Sequence, residues 1–161
     1  MTINVGDRMP SGVLMTMGAE GPAPVQTDEL FGGKTVVLFG LPGAFTPTCS
    51  AQHVPGYVAN HDALKAKGVD AIGCLSVNDP FVMGAWGKDQ GVGDKVMMLA
   101  DGSADYAKAL GLELDLSARG MGMRATRFAL LVEDGVVKSV AVEGNPGEVT
   151  SSGAEAILGQ L

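Results

Sequence analysis

Apolar residues along this chain gather in short blocks separated by polar and glycine-rich turns. Thr35 to Phe39 (TVVLF) is a continuous β-branched and apolar run, and Val69 to Val77 (VDAIGCLSV) is nearly one. Runs of this length predict strands covered on both faces. Lys95 to Ala100 (KVMMLA) predicts a third strand. Arg127–Val132 and Val136–Val142 flank Glu133-Asp134-Gly135, the turn chemistry of a hairpin. Helices are expected between these blocks. One spans about 48–67, with Pro55 bending it. Asn78-Asp79-Pro80, a cap followed by proline, leads into FVMGAWGKDQ. Ser103 is the expected cap of ADYAKALGL. Thr150-Ser151-Ser152 opens a terminal helix, GAEAILGQL. Residues 1–34 are rich in turn formers, with Gly18, Gly21, Pro22, Pro24 and Gly32-Gly33, and predict short strands or an N-terminal hairpin extension.

Strands alternating with helices, then an antiparallel hairpin and a helix, predict an α/β fold: a central mixed β-sheet flanked by helices. A thioredoxin-like order fits, and the order alone admits other α/β folds. No internal repeat or linker is visible, so residues 1–161 are expected to form a single domain. Hydrophobic residues make up 46% of the chain, enough for a packed core. The net charge of −7 argues against nucleic acid and against an anionic membrane as partner. No apolar run approaches the roughly 20 residues that span a bilayer. The opening MTINVGDRMPSG lacks the basic and apolar regions of a signal peptide. Two cysteines, Cys49 and Cys74, make neither a disulfide scaffold nor a zinc spacing. No metal is expected, and the cytoplasm is the expected compartment.

Chemistry enters at GLPGAFTPTCS, residues 40–50, where the strand of TVVLF must stop because Pro42 and Pro47 carry no amide hydrogen. Cys49 then falls in the first turn of the following helix. There the free amides and the macrodipole favour negative charge, hence the thiolate, which is the nucleophilic form. Thr46, three residues before, offers a hydroxyl able to hold both that thiolate and an oxygen-bearing substrate. Pro42 and Pro47 stiffen the loop and shield the thiol. Taken locally, a small buried hydrophobe explains Cys49 equally well.

PGAFTPTCSAQHVPGYV resembles the active-site segment of the peroxiredoxins, specifically the atypical type II group of plant and bacterial members. LKAKGVDAIGCLSVNDPFVMGAWGKDQ and RFALLVEDGVVKSVAVE resemble the same group in order and spacing, so the likeness runs over about residues 3–161. The resemblance implies a thioredoxin-like fold and a thiol-dependent peroxidase of antioxidant defence. It implies Cys49 as the nucleophile that becomes a sulfenic acid, with Thr46, Pro42 and Arg127 completing the pocket. An arginine there is a permanent cation whose forked donors reach both thiolate and peroxide. Without the resemblance Arg127 is an ordinary strand-end arginine. Arg124, three residues earlier, is set aside because the RF dipeptide belongs to Arg127. Backbone amides near Ala44 to Cys49 are expected to assist.

His53 lies four residues after Cys49, on the same helical face, and a Cys–His couple suggests a hydrolase. No acid partner for it is evident, the resemblance gives it no proton-transfer role, and a packing or pocket-lining histidine is expected. His61 is expected to face solvent and Trp86 to pack near the pocket. Cys74 sits in the most strand-like run and is expected to be an inert buried thiol. Related members often carry a resolving cysteine in the C-terminal segment. Here GEVTSSGAE places Ser151 or a neighbour at that point, so a one-cysteine cycle is expected. The reductant implied is glutathione with glutaredoxin, thioredoxin second, with no cofactor. A homodimer is a family expectation, with the glycine- and methionine-rich loop RGMGMRAT (119–126) as a candidate contact near the active site. A disulfide reductase wants C-x-x-C, where this chain has Thr46 three residues before Cys49. A non-enzymatic module with an inert Cys49 is the remaining alternative.

Overall fold

The structure is a computed structural model describing residues 1–161. Its strands are β1 (Val13–Gly18), β2 (Gly21–Gln26), β3 (Thr35–Leu41), β4 (Ala71–Ser76), β5 (Met97–Ala100), β6 (Glu113–Leu116), β7 (Gly122–Ala125), β8 (Phe128–Glu133) and β9 (Val136–Val142). Its α-helices are α1 (Thr27–Phe31), α2 (Val54–Ala59), α3 (His61–Ala66), α4 (Pro80–Asp89), α5 (Asp105–Leu110) and α6 (Ala154–Leu158). A π-helical turn, Cys49–His53, precedes α2. Seven strands form one sheet in the order β2-β1-β5-β4-β3-β8-β9. The β3-β4-β5 core is parallel and the flanking pairs are antiparallel. This is the mixed, thioredoxin-like sheet expected, with β1-β2 as the N-terminal hairpin.

The alternation along β3 explains why its run is apolar throughout. Val37, Phe39 and Leu41 point into one core layer, which also holds Cys49, Tyr57, Trp86 and Ile157. Val36 and Leu38 point into the other, with Leu14, Phe31, Tyr106 and Phe128. Burial on both faces leaves no polar position inside the strand. Gly40 has its own reason: a Cβ there would lie 2.1 Å from the Phe128 ring. At the strand's end, Leu41 passes directly into the loop that carries the thiol.

Several boundaries differ from the pattern-based expectation. The helix expected over 48–67 is interrupted at Asn60, and Pro55 falls directly after the widened π turn, inside the helical run that starts at Pro47. Ser103 is exposed and does not cap α5. Asp101 does so, its carboxylate accepting from the amides of Tyr106 and Ala107, while Ala104 turns the chain at φ +62°. The serines before α6 do not cap it either, because Ser152 is bonded to Glu143. The segment 119–126, expected as a loop, holds β7, which pairs with β6 in a separate two-stranded hairpin. The short polar alternation of ELDL and the glycines of RGMGMRA hid both strands.

Candidate active site

Beyond Leu41 the chain makes a tight, braced loop. The Ala44 amide donates to Asn78 Oδ1 at 3.0 Å, so it is not free to serve a ligand as expected. Phe45 adopts φ +64°, a conformation that costs a non-glycine residue of order 1 kcal/mol and marks an over-determined segment. Thr46 donates its hydroxyl proton to the Gly43 carbonyl at 2.7 Å. That corrects the expected bond to the thiolate: with its proton committed, Oγ1 has only lone pairs left to offer. Pro47 is exposed at the first helical position and stiffens the loop from outside, whereas Pro42 is buried beside it. Arg124 braces the same loop, with Nε donating to the Met121 carbonyl at 2.9 Å and Nη1 to that of Pro42 at 3.3 Å. A Cβ on Gly43 would meet Arg124 Nη1 at 2.8 Å, so glycine makes room for the brace. Met121 and Arg124 thus meet the active-site loop within one chain.

Cys49 is fully buried in the third position of the helix that starts at Pro47. The amide of Val54 bonds back to the Cys49 carbonyl, five residues away, which is the widened π turn. Such turns insert one extra residue and are frequent at functional sites. Here the turn sets Cys49 and His53 toward the same buried cation, Arg127. Arg127 is 2% exposed and lies just before β8. Its Nη2 donates to Cys49 Sγ at 3.1 Å, its Nε to the Pro146 carbonyl at 2.8 Å, and its Nη1 meets His53 Nδ1 at 2.8 Å. The molecule's one side-chain ion pair is His61–Asp62, so no carboxylate neutralises Arg127. A buried guanidinium without a counter-charge is strongly unfavourable. The group set directly against that cation is the Cys49 sulfur.

His53 is buried, and its Nε2 lies 3.0 Å from the Ser152 carbonyl. A carbonyl accepts only, so Nε2 carries the proton and Nδ1 receives the bond from Arg127. Burial, aided by the Arg127 charge, lowers its pKa to about 4 against the opposing pull of the Ser152 bond and Glu143. Neither ring nitrogen is free to take a proton from Cys49, which removes the geometric basis for a cysteine hydrolase. Glu143 anchors the far side. Its carboxylate accepts from Thr150 N at 2.8 Å, Thr150 Oγ1 at 2.6 Å, Ser152 N at 2.8 Å and Ser152 Oγ at 2.5 Å. Burial alone would raise its pKa, but the Ser152 and Thr150 bonds bring it down to about 2. Thr48 Oγ1 donates to the Gly147 carbonyl at 3.0 Å, tying the 143–152 strap to the helix.

Cys74 is fully buried on β4, the middle strand of the sheet, and no disulfide links it to Cys49. Burial, then the charge of a Cys49 thiolate, push its thiol well above the ordinary range, with Arg127 opposing. Trp86 is buried against the π turn, donating from Nε1 to Ser50 Oγ at 3.1 Å. His61 is half-buried beside Asp62 rather than free in solvent. The sequence reading named Cys49, Thr46, Pro42 and Arg127; the structure sets Arg127 against Cys49 and holds Thr46 and Pro42 in the loop that leads to it. The sequence reading missed Glu143, Pro146 and Ser152, whose only signal was the unusually polar and turn-rich GNPGEVTSSG after the last strand.

A thioredoxin-like sheet that delivers one buried thiol to a buried arginine defines a thiol-redox protein. Comparison with known proteins narrows this. The Redoxin family profile matches residues 4–158. The rice (Oryza sativa subsp. japonica) protein Peroxiredoxin-2C is 52% identical over 160 residues, covering 99% of this chain and 98% of its own. The crystal structure of reduced Prx3 in complex with H2O2 from Vibrio vulnificus superposes with a TM-score of 0.93 at 48% identity, covering 99% of each chain. A Plasmodium falciparum antioxidant protein, described as a 1-Cys peroxiredoxin, gives a TM-score of 0.89 at 29% identity over 96% of each chain. The chain belongs to the Redoxin family and, within it, to the type II peroxiredoxins, as a thiol-dependent peroxidase.

Proposed function

We propose that Cys49 is the peroxidatic nucleophile, with Thr46, Arg127 and Pro42 forming its pocket, and that the enzyme runs a one-cysteine cycle. The observation that carries this is the buried Arg127 Nη2–Cys49 Sγ contact of 3.1 Å with no carboxylate competing for the cation. In the first step the thiolate attacks the terminal oxygen of ROOH. The S–O bond forms, the O–O bond breaks, and RO⁻ leaves, to be protonated to ROH. Cys49 becomes the sulfenic acid. Thr46 Oγ1, whose proton is held by Gly43, accepts the O–H of the incoming hydroperoxide and so orients it. The remaining N–H groups of Arg127 face the charge that develops on the leaving oxygen, a stabilisation of about 3 kcal/mol per donor in comparable sites. The sulfur itself carries the redox change, without a cofactor.

An outside thiol then condenses with the sulfenic acid, releasing water and leaving a mixed disulfide. A second thiol reduces that disulfide and restores Cys49. Glutathione with glutaredoxin is the first candidate and thioredoxin the second. Two observations support an outside reductant. Burial in the central strand drives Cys74 toward the neutral thiol, and GEVTSSGAE, where the resemblance puts a resolving cysteine at Ser151 or a neighbour, contains no cysteine. The similar Plasmodium structure carries the 1-Cys description, and the Vibrio one contains peroxide, which supports that substrate. Residues 1–161 act as one catalytic domain, since the sheet is built from both ends of the chain. Its native form is a homodimer. No helix is long and apolar enough to cross a membrane, and the two free thiols suit the cytoplasm.

The test is the intact mass of the reduced protein after one equivalent of hydrogen peroxide, with and without dimedone, beside Cys49→Ser. One added oxygen, trapped by dimedone at Cys49, is the expected result. Loss of two hydrogens mapped to Cys49 and Cys74 within a monomer would replace the one-cysteine cycle. No rapid change would remove Cys49 from the reaction.

A further inference from the structure

We propose that His53 is a positioning residue: an uncharged imidazole, locked in one tautomer by the Ser152 carbonyl, that fixes the Arg127 fork on Cys49. The proposal rests on the peroxidase site described above and adds a residue the family resemblance left without a role. A guanidinium has five N–H donors and no acceptor, so every neighbour that orients it must offer a lone pair. Three do so here. The Pro146 carbonyl takes Nε, His53 Nδ1 takes Nη1, and Cys49 Sγ takes Nη2. Sulfur is the reactant, and it changes charge and geometry as sulfenic acid forms. Pro146 and His53 are therefore the fixed points that keep the fork aimed while the sulfur changes.

His53 can fill this place only with Nδ1 unprotonated, and the structure enforces that from the other side. Ser152 O faces Nε2 at 3.0 Å and also receives the Tyr57 hydroxyl at 2.8 Å, so it is a saturated acceptor that demands a donor from His53. Ser152 is in turn held through its amide and hydroxyl by Glu143. The ring plane is set by Phe39, with centroids 4.8 Å apart and planes at 51°. A path of direct bonds thus runs from Glu143 through Ser152, His53 and Arg127 to the reactive sulfur. It joins the strap after β9, the π turn and the start of β8.

The groups facing the ring are the Arg127 cation before β8, the Glu143 carboxylate after β9, and the Cys49 thiol and Tyr57 phenol on its own helix. β3 contributes only the apolar Phe39. Burial and Arg127 hold His53 neutral down to about pH 4. Below that, a second N–H would point at Arg127 and the lock would open. A histidine kept only for packing has no such requirement, and an apolar side chain of similar size would replace it.

Two measurements test the assignment. Nitrogen-15 NMR of the reduced wild-type protein reads the tautomer directly, whatever its activity. The expected spectrum is a neutral ring protonated at Nε2 from pH 8 to about 5, titrating near 4. A Nδ1-protonated ring, or an imidazolium at pH 6, overturns the proposal. The second is the quenched-flow rate of Cys49 sulfenic acid formation at pH 7.5 in wild type, His53→Gln and His53→Leu. Glutamine keeps a donor and an acceptor on one planar group without titrating. We expect it to stay within about threefold of wild type, while His53→Leu falls roughly 30-fold, a fraction of what a lost oxyanion donor costs. Equal rates in His53→Leu and wild type overturn the positioning role while leaving the peroxidase site intact. A wild-type Cys49 that does not oxidise overturns both. If His53→Leu does not fold, the NMR tautomer and the His53→Gln rate decide alone.

Discussion

Cys49 and Cys74 make an instructive pair. Both thiols are fully buried, and both belong to the same core layer. They differ in what surrounds them. Cys74 lies in the middle strand of the sheet, where burial drives its thiol toward the neutral form. Cys49 sits in the first turns of a helix, 3.1 Å from an arginine that has no carboxylate partner. Burial by itself therefore says little about a cysteine's chemistry. What separates the two is the company each keeps: an adjacent uncompensated cation and a helix start favour negative charge on sulfur, and only Cys49 has them.

The contrast is sharpest under direct exchange. Cys49→Ser should lower peroxide consumption at least about 1000-fold, because a neutral hydroxyl would replace the proposed nucleophile. Cys74→Ser should leave the rate within about twofold and cost stability of about 1–3 kcal/mol for a hydroxyl buried among apolar neighbours. Peroxide consumption and urea unfolding of the two variants separate these effects, and a large rate loss in Cys74→Ser would break the comparison. Arg127→Gln comes next. It should slow Cys49 oxidation by about 100- to 1000-fold, the range for a lost transition-state donor. It should also slow alkylation of Cys49 by iodoacetamide at neutral pH while leaving Cys74 as unreactive as before. Arg127→Lys should rescue little, since an ammonium cannot reach Pro146, His53 and Cys49 together.

Acid provides a graded version of the same test. The folded pKa of His53, about 4, lies below its ordinary value of 6.5, so between these values the unfolded chain binds the proton and the folded one does not. Its contribution to stability is complete above pH 6.5 and is lost as pH falls to 4, by up to roughly 3 kcal/mol. Glu143 is depressed from 4.5 to about 2, so its contribution is present above pH 4.5 and fades as pH drops toward 2. Urea unfolding at pH 7 and pH 4.5 should show the first loss, and His53→Gln should flatten it. Thr46→Val is expected to have the smallest effect on the site, a slowing of roughly tenfold through loss of substrate orientation. The hydrogen peroxide dependence of the rate should weaken while alkylation of Cys49 stays near wild type.

Much of the frame was legible in the chain. TVVLF and VDAIGCLSV read as two-faced strands because both core layers press on them. The Asp134-Gly135 turn announced β8-β9, and Asp79-Pro80 announced α4 with its side-chain cap on Val82. Elements with weak local signals were not legible. β6 and β7 are four residues each, β6 alternating exposed and half-buried positions and β7 mostly half-buried, so no apolar pattern marks them. The π turn is equally silent, since one extra residue in a helix leaves no mark on composition.

The sequence by itself determined the strand of TVVLF, the prolines that force the loop after it, a helix starting at about residue 48, and hence a cysteine at a helix start with a threonine three residues before it. Those are local consequences of side-chain shape and missing amide hydrogens. Only the tertiary structure decided what that cysteine faces. Arg127 is 78 residues away along the chain, and Pro146 and Ser152 reach the site from beyond β9. A guanidinium becomes a catalytic partner only when folding strips it of water and of carboxylates, and that exclusion is a property of packing between distant segments rather than of any one of them.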